Sequence, residues 1–239
     1  MKTGVVVPAY NEAESIAETI RYIRMLPEVD EILVVDDGSS DKTASEAIRA
    51  GARVVWHQQN FGKGQALKTA FQSIQSEMVV LLDADIKEGA LELRKLIDPV
   101  LRGDADMTIA AFPPAVGKQG FGIVKGVAKW GIYRTTGFSA HAPLSGQRAF
   151  RKELIQHLNL ADGYGVEVAM TIDALRAGYR LLEVPVHMKN REYGRTWKGF
   201  CHRGRQFVHI LRALLERGND PYWEVPEDSS TRMKESDGI

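Results

Sequence analysis

Short apolar runs and amphipathic stretches alternate along the first half of the chain. Gly4-Val5-Val6-Val7-Pro8 lacks the in-and-out alternation of a half-exposed strand, and a β-branched run bounded by glycine and proline predicts a strand buried on both faces. From Glu12 to Leu26 the pattern turns helical, with Ile16, Ile20 and Ile23 on one face. The two signals then repeat. Further strands are predicted at Glu31 to Val35, Ala52 to Trp56, Met78 to Leu82 and Met107 to Ala111, and helices at Thr43 to Ala50, Lys63 to Ile74 and Leu91 to Leu101. This order predicts an α/β fold with a doubly wound, mostly parallel sheet covered on both faces.

Beyond Phe112 the period loosens. Pro113-Pro114 opens an irregular stretch, and Phe121 to Tyr133 sets Ile123, Val124, Val127 and Ile132 against Lys125, Lys129 and Arg134. That pattern suits a surface helix, a membrane contact or an acceptor contact alike. Leu144 to Phe150 predicts a strand entered from a turn, Val166 to Ala177 a helix, Leu181 to Val186 a late strand, and Phe207 to Leu215 a helix flanked by Arg203, Arg205, Arg212 and Arg217. One domain is expected over 1–217, divided into halves at 1–112 and 113–217, with a polar, mobile tail over 218–239.

With 239 residues, 44% of them hydrophobic, the chain can bury a full core. Lysine plus arginine equals aspartate plus glutamate at 31 each, so no global field points to nucleic acid or an anionic bilayer. A single cysteine, Cys201, excludes an intramolecular disulfide and suits the cytoplasm. The apolar stretch near Met1 is too short for a signal peptide or a span, and nothing elsewhere approaches bilayer length. Membrane contact would therefore be peripheral, at the inner face.

In an open parallel sheet, ligands gather beyond the carboxyl ends of the strands. Four successive ends here are polar. The first is Pro8-Ala9-Tyr10-Asn11-Glu12, which offers an aromatic face for a base and a carboxylate for ribose or base hydrogen bonds. The second is Asp36-Asp37-Gly38-Ser39-Ser40-Asp41, the third leads to Asn60-Phe61-Gly62-Lys63-Gly64, and the fourth runs into Asp83-Ala84-Asp85. Each alone has a plain structural reading as a turn or helix cap, and Gly62-Lys63-Gly64 does not have P-loop spacing. Together, on consecutive strands, they predict a nucleotide pocket. Asp83 and Asp85 suit a hard cation such as Mg²⁺ or Mn²⁺, which would neutralise charge growing on a diphosphate leaving group. Lys63 would add a point charge or a ribose contact nearby.

In order and spacing, these four motifs resemble the opening of family 2 glycosyltransferases over roughly the first 110 residues. The resemblance implies a GT-A fold, Rossmann-like with a C-terminal acceptor-side extension, and a UDP-sugar donor. It implies base contacts near Pro8, Tyr10, Glu12 and Asp37 and metal ligation chiefly by Asp85, and Lys63 and Asp83 are expected at the donor beside them. Pro143-Leu144-Ser145-Gly146, Gly163-Tyr164-Gly165-Val166-Glu167 and Asn190-Arg191 resemble a narrower group, the glucosyl-3-phosphoglycerate synthases, and more loosely the polyprenyl-phosphate sugar synthases. In that likeness Ser145, Gly146, Asn190 and Arg191 face the acceptor. A histidine near the last motif helps hold the metal in the phosphoglycerate enzymes. Here the third ligand is left among His187, His202, Asn190 and water.

Many inverting members carry an aspartate directly after the glutamate of the late helix, as base for a hydroxyl acceptor, whereas here Glu167 is followed by Val168. Either the acceptor is a phosphate, already an anion at neutral pH, or the base is Glu167 or absent. Glu167 has a plain reading too, as a carboxylate favoured in a first helical turn. Arg191, Arg195, Lys198, His202, Arg203 and Arg205 form the densest basic stretch and suit a diphosphate or anionic acceptor. The expected activity is transfer of a hexose from UDP-glucose to a small anionic acceptor such as a phosphoglycerate, with Asp85 and Glu167 as catalytic residues. Rival readings are a polyprenyl-phosphate glycosyltransferase at the membrane surface, a nucleotidyltransferase, and a non-catalytic nucleotide-sugar-binding protein. No nucleic-acid partner is expected, and a homodimer is left open.

Overall fold

Val5, Val6 and Val7 have no exposed surface, as a central strand covered on both faces requires. Strand β1 (Thr3–Ala9) pairs in parallel with β2 (Glu31–Asp36) on one side and with β4 (Met78–Leu81) on the other. In this computed structural model, residues 1–112, 122–161, 165–188 and 197–218 are described, with the side chains of 197–206 outside that description. β3 (Arg53–Trp56), β5 (Met107–Ala111), β6 (Arg148–Arg151) and β7 (Leu181–Pro185) complete a sheet of order β3-β2-β1-β4-β6-β5-β7. All its pairings are parallel except those of β6, which runs antiparallel to both β4 and β5.

The strand alternation divides the core in two. Val5, Val7, Val34 and Val80 face α1 (Ile16–Ile23) and α4 (Leu93–Arg102), meeting Ile16, Ile20, Ile23, Leu96 and Val100. Val6, Leu33, Val35, Val79 and Leu81 face α3 (Lys63–Ser73) and α6 (Val166–Arg176), meeting Leu67, Phe71 and Met170. α2 (Thr43–Arg49) joins the first layer through Ala47. Outside the second layer, α5 (Ile123–Thr136) and α7 (Trp197–Gly218) build a small core on α6 from Ala128, Ile132, Ile172, Ile210 and Leu214.

Several boundaries differ from the sequence expectation for local reasons. α1 starts at Ile16 rather than Glu12, because Asn11 sits at φ 54° and the amides of Ser15 and Ile16 turn back onto Glu12 O. The helix expected from Leu91 opens as a 3₁₀ turn, Lys87–Glu92, before α4. Of the strand expected over Leu144 to Phe150, only the part from Arg148 pairs, since the residues before it have passed the end of β4. α7 begins at Trp197, ten residues before the expected start; Gly199 and Gly204 weaken the helical signal there. The Pro113-Pro114 stretch and the tail beyond Gly218 lie outside the described residues.

Candidate active site

The carboxyl ends of β1, β2 and β4 and the start of α3 enclose a cleft of about 1040 Å³. Pro8, Tyr10, Asp37, His57, Phe61, Lys63 and Asp83 line it, with His209 of α7 on the far wall. Five of the six residues expected to meet the donor are therefore together. Glu12 is not among the lining residues; its carboxylate takes the Ser15 hydroxyl at 2.7 Å.

Asp37 organises one wall. Its amide donates to Ala9 O at 2.8 Å, which ties the end of β2 to that of β1. Its buried carboxylate then gathers the loop after β3: Phe61 N donates to Oδ1 at 3.0 Å and Gly62 N to Oδ2 at 2.7 Å, while His57 Nδ1 lies 2.7 Å from Oδ1. Gly38 has φ 73°, and a Cβ there would run into the backbone of Gln59, so glycine allows the loop to come this close. His57 Nε2 reaches Thr69 Oγ1 at 2.9 Å, and its ring stands edge-on to Phe61 with centroids 5.4 Å apart. Two donors occupy Oδ1 and one occupies Oδ2, which leaves an acceptor position on Oδ2 for a ligand. Sequence reasoning missed His57 and Thr69; the available signal was a histidine at the end of a predicted strand.

Lys63 organises the other wall. Nζ lies 3.0 Å from Asp83 Oδ1 and 2.9 Å from Glu167 Oε1, so α3, the end of β4 and the first turn of α6 meet on one ammonium. Burial works to lower the lysine pKa, but the two carboxylates outweigh it and hold the group above its usual range. Gln147 Nε2 donates to Asp83 Oδ2 at 2.6 Å. A Cβ on Gly146 would sit 2.7 Å from Lys63 Nζ, so that turn passes directly over the ammonium. The strand direction accounts for the approach: Arg148 pairs with Leu81 across an antiparallel ladder, so the residues just before Arg148 fall beside those just after Leu81.

Beneath the turn, Arg148 is fully buried. Its Nε donates to Ser145 O at 3.0 Å and Nη1 to Thr171 Oγ1 at 3.0 Å, and the Thr171 hydroxyl donates to Glu167 O at 2.9 Å. Burial pushes the guanidinium pKa down to about 10, against the opposing pull of Glu167 and Glu183. Glu183 accepts from the amides of His141 and Ala142 at 2.9 Å and 2.7 Å, which anchors the segment leading to Ser145. Ser145 is buried, and its hydroxyl lies 3.3 Å from Gln147 Oε1. Gln147 and Arg148 directly follow Ser145-Gly146 in sequence, but nothing in their residue types marks them for the site.

Asp85 follows on the turn after β4 and is partly exposed. Two carboxylates one residue apart, with diphosphate oxygens to complete the shell, fit the donor set of Mg²⁺ or Mn²⁺, which need few protein ligands. His187 is exposed and its amide donates to Glu92 at 3.0 Å, and among the described residues no group of three His, Cys, Asp or Glu is placed to hold a metal. Asn190, Arg191, Arg195 and the side chains of Lys198, His202, Arg203 and Arg205 lie outside the described residues.

Residues 4–158 match the family described as glycosyl transferase family 2. Glucosyl-3-phosphoglycerate synthase of Mycobacterium tuberculosis is 34% identical over 197 residues, covering 71% of this chain but 60% of that enzyme. This chain thus spans less than two thirds of that relative's length. The enzyme of the same name from Mycolicibacterium paratuberculosis is 33% identical over 246 residues, covering 91% of this chain and 73% of its own length. The crystal structure of the M. tuberculosis enzyme with Mn²⁺, UDP and phosphoglyceric acid superposes with a TM-score of 0.77 at 28% identity, over 95% of this chain and 80% of that one.

Proposed function

The chain belongs to glycosyl transferase family 2, and on that premise we propose that it is a glycosyltransferase that moves glucose from UDP-glucose, with Mg²⁺ or Mn²⁺, to a small anionic acceptor of the phosphoglycerate type. The observation that carries the reading is the meeting of Lys63, Asp83, Glu167 and Gly146 at the mouth of a cleft whose other wall is built for a nucleotide base. The relative's complex with Mn²⁺, UDP and phosphoglyceric acid supports the choice of ligands.

The geometry supports a role for each described residue of the site. The open position on Asp37 Oδ2 accepts an N–H from the base edge, with the exposed rings of Tyr10 and Phe61 beside it and Pro8 on the floor. Asp83 and Asp85 hold the cation, which when bound neutralises charge on the departing diphosphate. The ammonium of Lys63 faces the same diphosphate and keeps Asp83 and Glu167 from repelling one another. Glu167 stands on the acceptor side, 2.9 Å from the Lys63 ammonium, where it orients an acceptor hydroxyl or takes up its proton. Ser145 and Gly146 shape the acceptor floor, and Asn190 and Arg191 are assigned to the acceptor from the resemblance alone. The family match favours sugar transfer over the nucleotidyltransferase and non-catalytic readings.

A lipid-phosphate acceptor is the second reading, favoured by Trp130, which is 65% exposed on α5, the helix that leads toward Ser145. UDP release from UDP-glucose with Mn²⁺ should be accelerated by 3-phosphoglycerate and abolished in Asp85→Ala. Acceleration by a polyprenyl phosphate alone favours the second reading. No release with either acceptor, by a folded protein, overturns both.

A further inference from the structure

α5 buries one face and leaves the other bare. Ala128, Gly131 and Ile132 turn inward, Gly131 against Leu214 of α7, while Ile123 is 60% exposed, Trp130 65% and Tyr133 60%. At about 100° per residue, Ile123 and Trp130 lie two turns apart on one line and Tyr133 lies just beside it. The same spacing places Lys129 beyond Tyr133 on one side, with Lys125 farther round toward buried Ile132, and Arg134 beside Ile123 on the other side. The helix contains no aspartate or glutamate.

We propose that this face of α5 docks the protein onto an anionic lipid surface, the helix lying in the plane of the headgroups. An apolar stripe carrying tryptophan and tyrosine, edged by cations, is the arrangement that sits at a membrane interface with its rings at headgroup depth. The fourteen residues of α5 extend about 21 Å, less than the roughly 30 Å hydrocarbon core. No described helix is long and apolar enough to cross a membrane, so the contact is parallel to the surface.

Charge decides between lipid and a second copy of the chain. The whole protein has a formal net charge of zero, so it has no general attraction to an anionic surface, and the acid-free cationic border of α5 supplies a local one. A two-fold contact through the same face would set Lys125, Lys129 and Arg134 against their own counterparts with no α5 carboxylate to meet them. The inference holds for a soluble or a lipid-linked acceptor, and it does not depend on the assigned donor.

Flotation of the full chain with phosphatidylcholine vesicles, with and without one third phosphatidylglycerol, tests the docking. The protein should float with the mixed vesicles and not with phosphatidylcholine alone, and high salt should release it. Lys125→Gln and Lys129→Gln should each weaken binding about five-fold. Trp130→Ala should weaken it as well, while thermal midpoint and vesicle-free UDP release stay at wild-type levels. Docking and catalysis thus fail separately. Protein that stays with neither vesicle, binds both alike, or binds unchanged in all three variants overturns the proposal. So does a dimer disrupted by Trp130→Glu in a chain that ignores vesicles.

Discussion

Lys63 Nζ lies 2.9 Å from Glu167 Oε1, joining the first residue of α3 to the first turn of α6 across the mouth of the cleft. The same ammonium holds Asp83 at 3.0 Å. Removing it leaves two carboxylates facing each other in a partly desolvated site. Lys63→Met is therefore expected to lower kcat by about 100-fold, the scale of losing one preorganised charge-stabilising group. It should also cost about 1–3 kcal/mol in unfolding free energy. Lys63→Arg should restore most of the stability and little of the rate, since a planar fork cannot stand where a compact ammonium met two carboxylates. Steady-state UDP release and urea unfolding read the two effects, and wild-type kcat in Lys63→Met would remove Lys63 from the reaction.

Gly146 offers a gentler perturbation of the same point. A methyl group placed 2.7 Å from Lys63 Nζ must displace the far end of a flexible side chain, not backbone. Gly146→Ala is expected to keep the thermal midpoint within about 2 °C, because displacing a side-chain tip costs well under 1 kcal/mol. Activity should fall at least ten-fold with the apparent affinity for UDP largely retained. Equal losses in nucleotide affinity and rate would place Gly146 at the donor rather than between Lys63 and the acceptor.

His57 reaches the cleft only through folding. Its imidazole spans Asp37 and Thr69, so His57→Ala frees the Asp37 carboxylate and loosens the loop carrying Phe61 and Gly62. UDP binding should weaken about ten-fold, the scale of one charge-assisted hydrogen bond. His57→Asn should recover part of it, by offering a donor toward Asp37. Isothermal titration with UDP and Mn²⁺ checks this, and unchanged affinity in His57→Ala would show that Asp37 is held by the backbone amides alone.

What the sequence made legible were features of one strand and its end. Val5-Val6-Val7 announces its burial through composition, and the polar ends of β1, β2 and β4 announce the cleft because parallel strands deliver their ends to one side. The antiparallel course of β6 was not legible, since nothing local to Arg148-Ala149-Phe150 distinguishes a reversed strand from a parallel one. That reversal carries Gly146 and Gln147 to Asp83, so the acceptor side of the site was read only as a motif fragment. His57 escaped for a related reason. Its partner Asp37 is twenty residues away in sequence, and their contact exists only because β2 and β3 lie side by side.

Asp106 supplies a prediction about pH away from the site. Its carboxylate accepts Arg180 N at 2.9 Å and Arg180 Nε at 3.1 Å, while the amides of Asp106 and Met107 donate to Arg180 O, so the pair fastens β7 alongside β5 at the sheet edge. Hydrogen bonds from Arg180 hold the carboxyl pKa below its usual 3.8, outweighing the upward pull of burial. A carboxylate whose pKa is lower in the folded than in the unfolded chain binds fewer protons when folded, so its stabilisation is complete above the unfolded value and disappears as pH falls through the folded one. Asp106→Asn should therefore lie below wild type in unfolding free energy at pH 6, with the gap closing below about pH 3.8. Urea unfolding of both proteins between pH 6 and pH 3 measures the gap. If it stays constant across that range, the ionised carboxylate is not what fastens the edge, and the backbone bonds to Arg180 O carry it alone.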